Sequence, residues 1–194
     1  FTRRQKTVQP HQFISRNKAL HRWKRLSPSI RYAATYFDGA ITEPERLAVE
    51  MLLDAEAVHP NAHALNYISL VGGKSNIATL RDELTGESFD LRPRLLINAA
   101  GPWIDETNAT LGLKARFISG TKGSHVVLSN PELRAEIGNH EFFFENDDGR
   151  IVLIFPLYDK VLVGTSDLPI ENPDEARCTE EEVDYFLEMI GNVF

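Results

Sequence analysis

Ile97-Asn98-Ala99-Ala100-Gly101-Pro102-Trp103 joins an apolar run to a helix start across two alanines, a glycine and a proline. Upstream, Leu95, Leu96 and Ile97 follow one another without alternation. Such a run predicts a strand over 94–99 that is buried on both faces, as in a parallel sheet under helices. Pro102 is tolerated in a first helical turn, so a helix is expected from there to about Leu111, with Gly112 as its stop. Small residues at the turn let a ligand approach the backbone, and a helix N-terminus favours an anion such as a pyrophosphate. The same residues also suit a tight strand-to-helix turn with no ligand, and local chemistry leaves both readings open.

On the N-terminal side, Thr42 and Glu45 form a capping-box pattern for a helix over 43–58. Leu47, Ala48, Met51, Leu52 and Ala55 make its apolar stripe, and His59-Pro60-Asn61 ends it. Residues 64–71 read as a strand stopped by Gly72-Gly73, and 77–80 with 88–91 read as a hairpin around Thr85-Gly86. On the C-terminal side, strands are expected at 124–128, 141–145, 150–155 and 161–165. Asn146-Asp147-Asp148-Gly149 and Asp159-Lys160 are the turns between them. Thr179 and Glu182 then cap a further helix. The fold class is therefore α/β of the α+β kind. It divides into a basic entry arm over 1–40, with a short helix near 19–26, then an α/β part over 41–113. A largely antiparallel sheet over 114–178 and the start of a helical segment over 179–194 follow.

With 194 residues, 42% of them hydrophobic, the chain can bury a substantial core. Its single cysteine, Cys178, excludes an internal disulfide and fits a reducing compartment. The longest apolar run is too short to span a bilayer, and no signal peptide is visible. A cytoplasmic location follows, with peripheral contact to the inner membrane face as an option. The net charge of −7 hides an asymmetry. Residues 1–37 carry Arg3, Arg4, Lys6, Arg16, Lys18, Arg22, Lys24, Arg25 and Arg31 without one acid. The twelve remaining bases stand against all 28 acids, a balance of −16. Such an arm suits anionic lipid or a phosphorylated ligand, or it packs on its own acidic body. No nucleic-acid motif accompanies it, which argues against nucleic acid as a partner.

Five motifs in order give a resemblance. They are Tyr36-Phe37-Asp38-Gly39-Ala40 with Glu45-Arg46-Leu47, and Asn98-Ala99-Ala100-Gly101-Pro102-Trp103. Gly120-Thr121-Lys122-Gly123-Ser124-His125, Asp148-Gly149-Arg150-Ile151-Val152 and Gly164-Thr165-Ser166-Asp167 complete the set. From about Ser15 onward the chain resembles the FAD-dependent glycerol-3-phosphate dehydrogenase and oxidase family, within the D-amino-acid-oxidase-like flavoproteins. The family opens with a Gly-x-Gly-x-x-Gly loop on the FAD diphosphate. That loop is not in this sequence, and the family continues well past Phe194, so the expectation is an internal fragment, inactive alone.

The resemblance implies part of an FAD-binding Rossmann-like domain, with Ala99, Ala100, Gly101, Pro102 and Trp103 against FAD, and a substrate sheet. It implies oxidation of sn-glycerol 3-phosphate to dihydroxyacetone phosphate, with hydride passing to flavin and electrons then to quinone or oxygen. His125, at a strand start after a Gly-Ser turn, is the expected base or a hydrogen-bond partner of the substrate; histidine as a type titrates near neutrality. Arg150 and Lys122 are candidate phosphate ligands, although Arg150 also has Asp147 and Asp148 for partners. Thr165 falls near flavin or substrate, or in a plain loop. No metal is expected, because Pro60-Asn61 breaks the helix that His59 and His63 would need for chelation. The alternatives are an amine- or amino-acid-oxidising flavoprotein of the same fold, and a non-catalytic module of that fold.

Overall fold

The computed structural model describes residues 9–74, 76–146 and 148–194. Arg3, Arg4 and Lys6 of the arm, and Asp147 of the expected turn, lie outside the described residues. In chain order the elements begin with β1 (Gln12–Ser15), α1 (Arg16–Arg22), β2 (Tyr32–Thr35), α2 (Pro44–Val58), β3 (Ile68–Lys74), β4 (Ile77–Asp82) and β5 (Ser88–Leu91). After a 3-10 turn at Gly101–Trp103 come α3 (Ile104–Thr110), β6 (Thr121–Lys122), β7 (His125–Leu128) and α4 (Pro131–Ile137). The chain closes with β8 (Phe142–Glu145), β9 (Ile151–Leu157), β10 (Lys160–Gly164), β11 (Leu168–Pro169) and α5 (Glu180–Val193). The fold is mixed α/β with antiparallel pairing throughout the described sheets, and it divides into two compact units. One takes the chain up to Asp38 together with Gly120–Phe194; the other is Gly39–Ser119.

In the first unit a four-stranded sheet runs in the order β7-β10-β9-β8. Val152 and Ile154 of β9 and Val161 and Val163 of β10 alternate with less buried residues, so one sheet face is wholly apolar. Leu133 and Ile137 of α4 and Phe186 and Met189 of α5 cover that face. Asn130 caps α4 by accepting the Leu133 amide at 3.0 Å. Thr179 and Glu182 cap α5 with the reciprocal box that the sequence predicts. The opposite face is open: Val127 and Phe143 stay exposed there.

The arm is folded. β1 and β2 form a hairpin that encloses α1, and Ile14, Ala19, Trp23 and Leu26 make a small core against Phe142, Val193 and Phe194. Arg22 lies over the Trp23 ring and donates to His140 Nε2 at 2.7 Å. Arg25 pairs with Glu132 at 2.6 Å, and its amide donates to Glu136. Of the two readings of the arm, packing against its own acidic body describes these residues.

The second unit departs from expectation in four places. β3 runs through Gly72-Gly73 instead of stopping there. Glycine is needed for a close pass, since a Cβ on Gly73 would sit 2.6 Å from Leu111 Cδ2 and 2.9 Å from the Ile77 carbonyl oxygen. The run Leu95-Leu96-Ile97 forms no strand and is exposed, Leu95 at 76% and Ile97 at 77%. A doubly buried strand needs cover on both faces, and this run neither joins the unit's β3-β4-β5 sheet nor is covered by it. The stripe on α2 is likewise uncovered, with no buried residue in that helix. The α2 N-cap is Glu43 and its side chain makes no capping bond, so the Thr42 box does not form. Among the described residues, no helix is long and apolar enough to cross a membrane.

Candidate active site

Each unit carries one candidate surface. In the first unit, β10 brings Gly164 directly opposite His125 of β7. The imidazole packs against that glycine: a Cβ at Gly164 would come within 2.6 Å of Nε2 and 2.8 Å of Cγ. His125 belongs to the open face, because its neighbours Val126 and Leu128 pack into the core. Gly123 makes a second close pass. A Cβ there would meet Thr165 Oγ1 and approach the Ser166 carbonyl oxygen to 2.9 Å. His125 and Thr165 are thus brought to the same corner of the sheet.

A cleft of about 270 Å³ opens at this corner, lined by Lys122, Gly123, Ser124, His125, Ala176, Arg177 and Cys178. Behind its wall sits a buried polar cluster. Glu182, 3% exposed, accepts the Ser166 hydroxyl on Oε1. Its Oε2 accepts Lys122 Nζ at 2.5 Å and the Thr179 amide at 2.9 Å. Ser166 Oγ in turn accepts the Ser124 amide at 2.9 Å. Lys122 also donates to the Arg177 carbonyl oxygen at 2.7 Å and lies 3.5 Å from Ser124 Oγ. All three of its donors thus have partners within the protein, and Lys122 ties the cleft walls together. Arg177, overlooked in the sequence, lines the cleft, and among the described residues its guanidinium forms no ion pair.

Burial alone would raise the Glu182 carboxyl, but the donors from Lys122, Ser166 and Thr179 outweigh it and hold the group at about 2, below its ordinary 4.5. A folded-state pKa below the unfolded one adds stability at neutral pH that is lost on acidification. Unfolding midpoints measured against pH are therefore expected to fall between about 4.5 and about 2. The part due to this carboxylate should vanish in Glu182→Gln.

Arg150 stands apart from the cleft. It precedes β9, whose Leu153 pairs with Gly164, so it is at the His125 end of the sheet but beyond the next strand. Its guanidinium lies over the Tyr185 ring at 5.3 Å and 3.7 Å from Asp148. The Arg150 amide holds the Asp148 carboxyl below its usual range.

In the second unit, the turn at Ala99–Trp103 is built by a pair of amides. Asn98 donates to the Ile104 carbonyl oxygen at 3.0 Å and to Asn108 Oδ1 at 2.9 Å, and accepts the Ala100 amide at 3.1 Å. Asn108 is 7% exposed; its sequon-like context Asn108-Ala109-Thr110 concealed a core role. Ala99, Gly101, Pro102 and Trp103 are exposed, with Ala100 half-buried. Gly101 has φ +56° and no atom within 4 Å of where a Cβ would stand. Backbone this bare fits a cofactor laid against it. Asp105 and Glu106 occupy the first turn of the seven-residue helix that follows, which opposes the pull of its N-terminus on an anion. An apolar cleft of about 330 Å³ adjoins, between Leu70 and Leu80 of the sheet, Thr107 of α3 and Leu111 just after it.

Comparison with known proteins gives a consistent picture. The chain is 30% identical over 207 residues to the glycerol-3-phosphate dehydrogenase of Synechocystis sp., covering 97% of this chain and 36% of that protein. It is 29% identical over 149 residues to the alpha-glycerophosphate oxidase of Streptococcus pneumoniae, covering 73% and 24%. It spans about a quarter to a third of these curated relatives. Among solved structures it is similar to the Bacillus halodurans glycerol-3-phosphate dehydrogenase complexed with FAD, with a TM-score of 0.68 at 21% identity over 96% of this chain and 40% of that one. Glycine oxidase from Geobacillus kaustophilus gives 0.65 at 22%, over 95% and 46%. At those identities the likeness is one of fold. The family model described as DAO, FAD dependent oxidoreductase, matches residues 2–194. A match that runs through both units to the last residue leaves neither of them outside the family: the chain belongs to the FAD dependent oxidoreductases, and its cofactor is FAD.

Proposed function

We propose that this chain is part of an enzyme that oxidises the secondary alcohol of sn-glycerol 3-phosphate to the ketone of dihydroxyacetone phosphate and passes the electrons to quinone or oxygen. The observation that carries the reading is the His125 imidazole, seated on Gly164 beside a cleft that Arg177 also lines. The relatives named for glycerol 3-phosphate support it. FAD, when bound, supplies the acceptor for the hydride leaving C2. His125 takes the hydroxyl proton, or orients that hydroxyl by hydrogen bonding. Arg177 offers a planar guanidinium to the phosphate, and Arg150 adds positive charge at the same end of the sheet. Thr165 lines the corner with its hydroxyl, and Lys122 holds the walls. In the other unit, Ala99, Ala100, Gly101, Pro102 and Trp103 offer the cofactor bare backbone. Lys18, His21 and Lys24, all exposed on the arm, suit peripheral docking on an anionic membrane surface at the cytoplasmic side.

The test uses the complete protein that contains this chain, purified with FAD under anaerobic conditions. Addition of sn-glycerol 3-phosphate is expected to bleach the flavin absorbance within the turnover time. Bleaching by glycine or another amine and not by glycerol 3-phosphate would transfer the site to amino-acid oxidation. A protein that binds no FAD would make this a non-catalytic module.

A further inference from the structure

We propose that Glu182 is the positioning residue for His125, and that its pairing with Lys122 sets the charge around the imidazole. The inference rests on the reading of His125 as the group that meets the substrate hydroxyl. Stability does not account for the pair. Desolvating two charges costs several kcal/mol per ion, and an apolar pair of similar volume is often as stable. Yet the Glu182 side chain is 4% exposed and that of Lys122 13%. The capping box needs only the backbone reach of Glu182, which an exposed glutamate supplies equally well.

What the carboxylate holds is the backbone on both sides of the histidine. Through Ser166 it fixes the Ser124 amide, in the Gly123–Ser124 peptide one residue ahead of His125. Ser166 also follows two residues after Gly164, the floor on which the ring rests. Through Lys122 it fixes the strand leading into Gly123-Ser124 and ties it to the Arg177 carbonyl on the opposite wall. A shift of this one carboxylate would move the ring's floor and its hinge together. The charged and titratable groups around the cleft are Lys122, Arg177 and Cys178 in its lining and Glu182 behind Lys122. Exposed Asp167 follows Ser166, and exposed Glu180 and Glu181 start α5. Within that set the Lys122–Glu182 pair is the least exposed, so unbalancing it leaves one charge beside the cleft that solvent covers poorly.

The experiment compares Glu182→Gln, Lys122→Met and the double variant in the complete FAD-loaded protein. Reaction of His125 with diethyl pyrocarbonate, followed by peptide mapping across pH, reads the imidazole with no substrate present. An unbalanced ammonium should lower its titration midpoint in Glu182→Gln, and an unbalanced carboxylate should raise it in Lys122→Met, each by about half a pH unit or more. The double variant should return to the wild-type midpoint. With sn-glycerol 3-phosphate, the acid limb of kcat/KM should follow the midpoint, and kcat should fall about 10²-fold in all three as the held geometry is lost. Unchanged midpoints in both single variants overturn the proposal. Midpoints that move as expected in a protein inert toward glycerol 3-phosphate keep the positioning role and overturn the substrate reading. Should Glu182→Gln fail to fold, Lys122→Arg decides against Lys122→Met: a wild-type midpoint in the first and a raised one in the second support the proposal, and equal midpoints overturn it.

Discussion

Replacing His125 with alanine is expected to slow anaerobic flavin reduction by sn-glycerol 3-phosphate by about 10²- to 10⁴-fold, the usual contribution of a positioned base. FAD content should not change, because His125 is not among the residues proposed to hold the cofactor, Ala99–Trp103. Core packing should hold as well, since His125 is exposed on the open face and the residues that build the core are its neighbours Val126 and Leu128. His125→Gln separates the two roles left open for the imidazole. Glutamine can hydrogen-bond to the hydroxyl but cannot accept its proton, so a base predicts that Gln behaves like Ala. A hydrogen-bonding role predicts that Gln recovers much of the rate. Stopped-flow bleaching at several pH values decides this, and equal rates in wild type and both variants would reduce His125 to a packing piece on Gly164.

The largest effect on stability is expected at Phe186. Its ring is fully buried at the centre of the face where α5 meets Val152, Ile154, Val161 and Val163, with Leu133 and Ile137 of α4 beside it. Phe186→Ala removes most of that side chain and leaves a space that strands fixed on both edges cannot close. The expected loss is about 3–5 kcal/mol, combining lost transfer energy with the cavity. Urea unfolding followed by far-UV circular dichroism measures it. A loss below about 1 kcal/mol would mean that α5 detaches before the sheet unfolds and is not part of its cooperative core. Since Glu182 lies one helical turn before Phe186, the same helix that closes the core also delivers the carboxylate to the cleft wall.

The sheet of the first unit was legible because its signals are local. Alternating apolar residues in β9 and β10, the Asp148-Gly149 turn and the Thr179 box each depend on a few neighbours in sequence. Helix α4 was harder to see: it spans only seven residues and shows no more than two buried positions, Leu133 and Ile137. Two of the errors in the second unit share one physical origin. An apolar run or stripe says that a surface wants cover, not that this chain provides it, and both the run at 95–97 and the stripe on α2 are uncovered. In the site, the motif residues His125 and Thr165 could be found from their order along the chain. The cluster that fixes them could not, because Lys122, Ser166 and Glu182 are joined only by the fold. Glu182 advertises a helix cap, and Lys122 a phosphate ligand, until the two are seen against each other.

The seating of the His125 ring on Gly164 also bears on descent. Any side chain at 164 would claim the volume that the imidazole occupies, so position 164 cannot take one unless the histidine gives way first. Among relatives, a lineage that gained a side chain at 164 would have to lose or displace the histidine, and one that lost the histidine would be freed to fill the glycine. The two positions should therefore be inherited as a single character, and a sequence that keeps the glycine while the histidine is gone marks a recent departure from this chemistry.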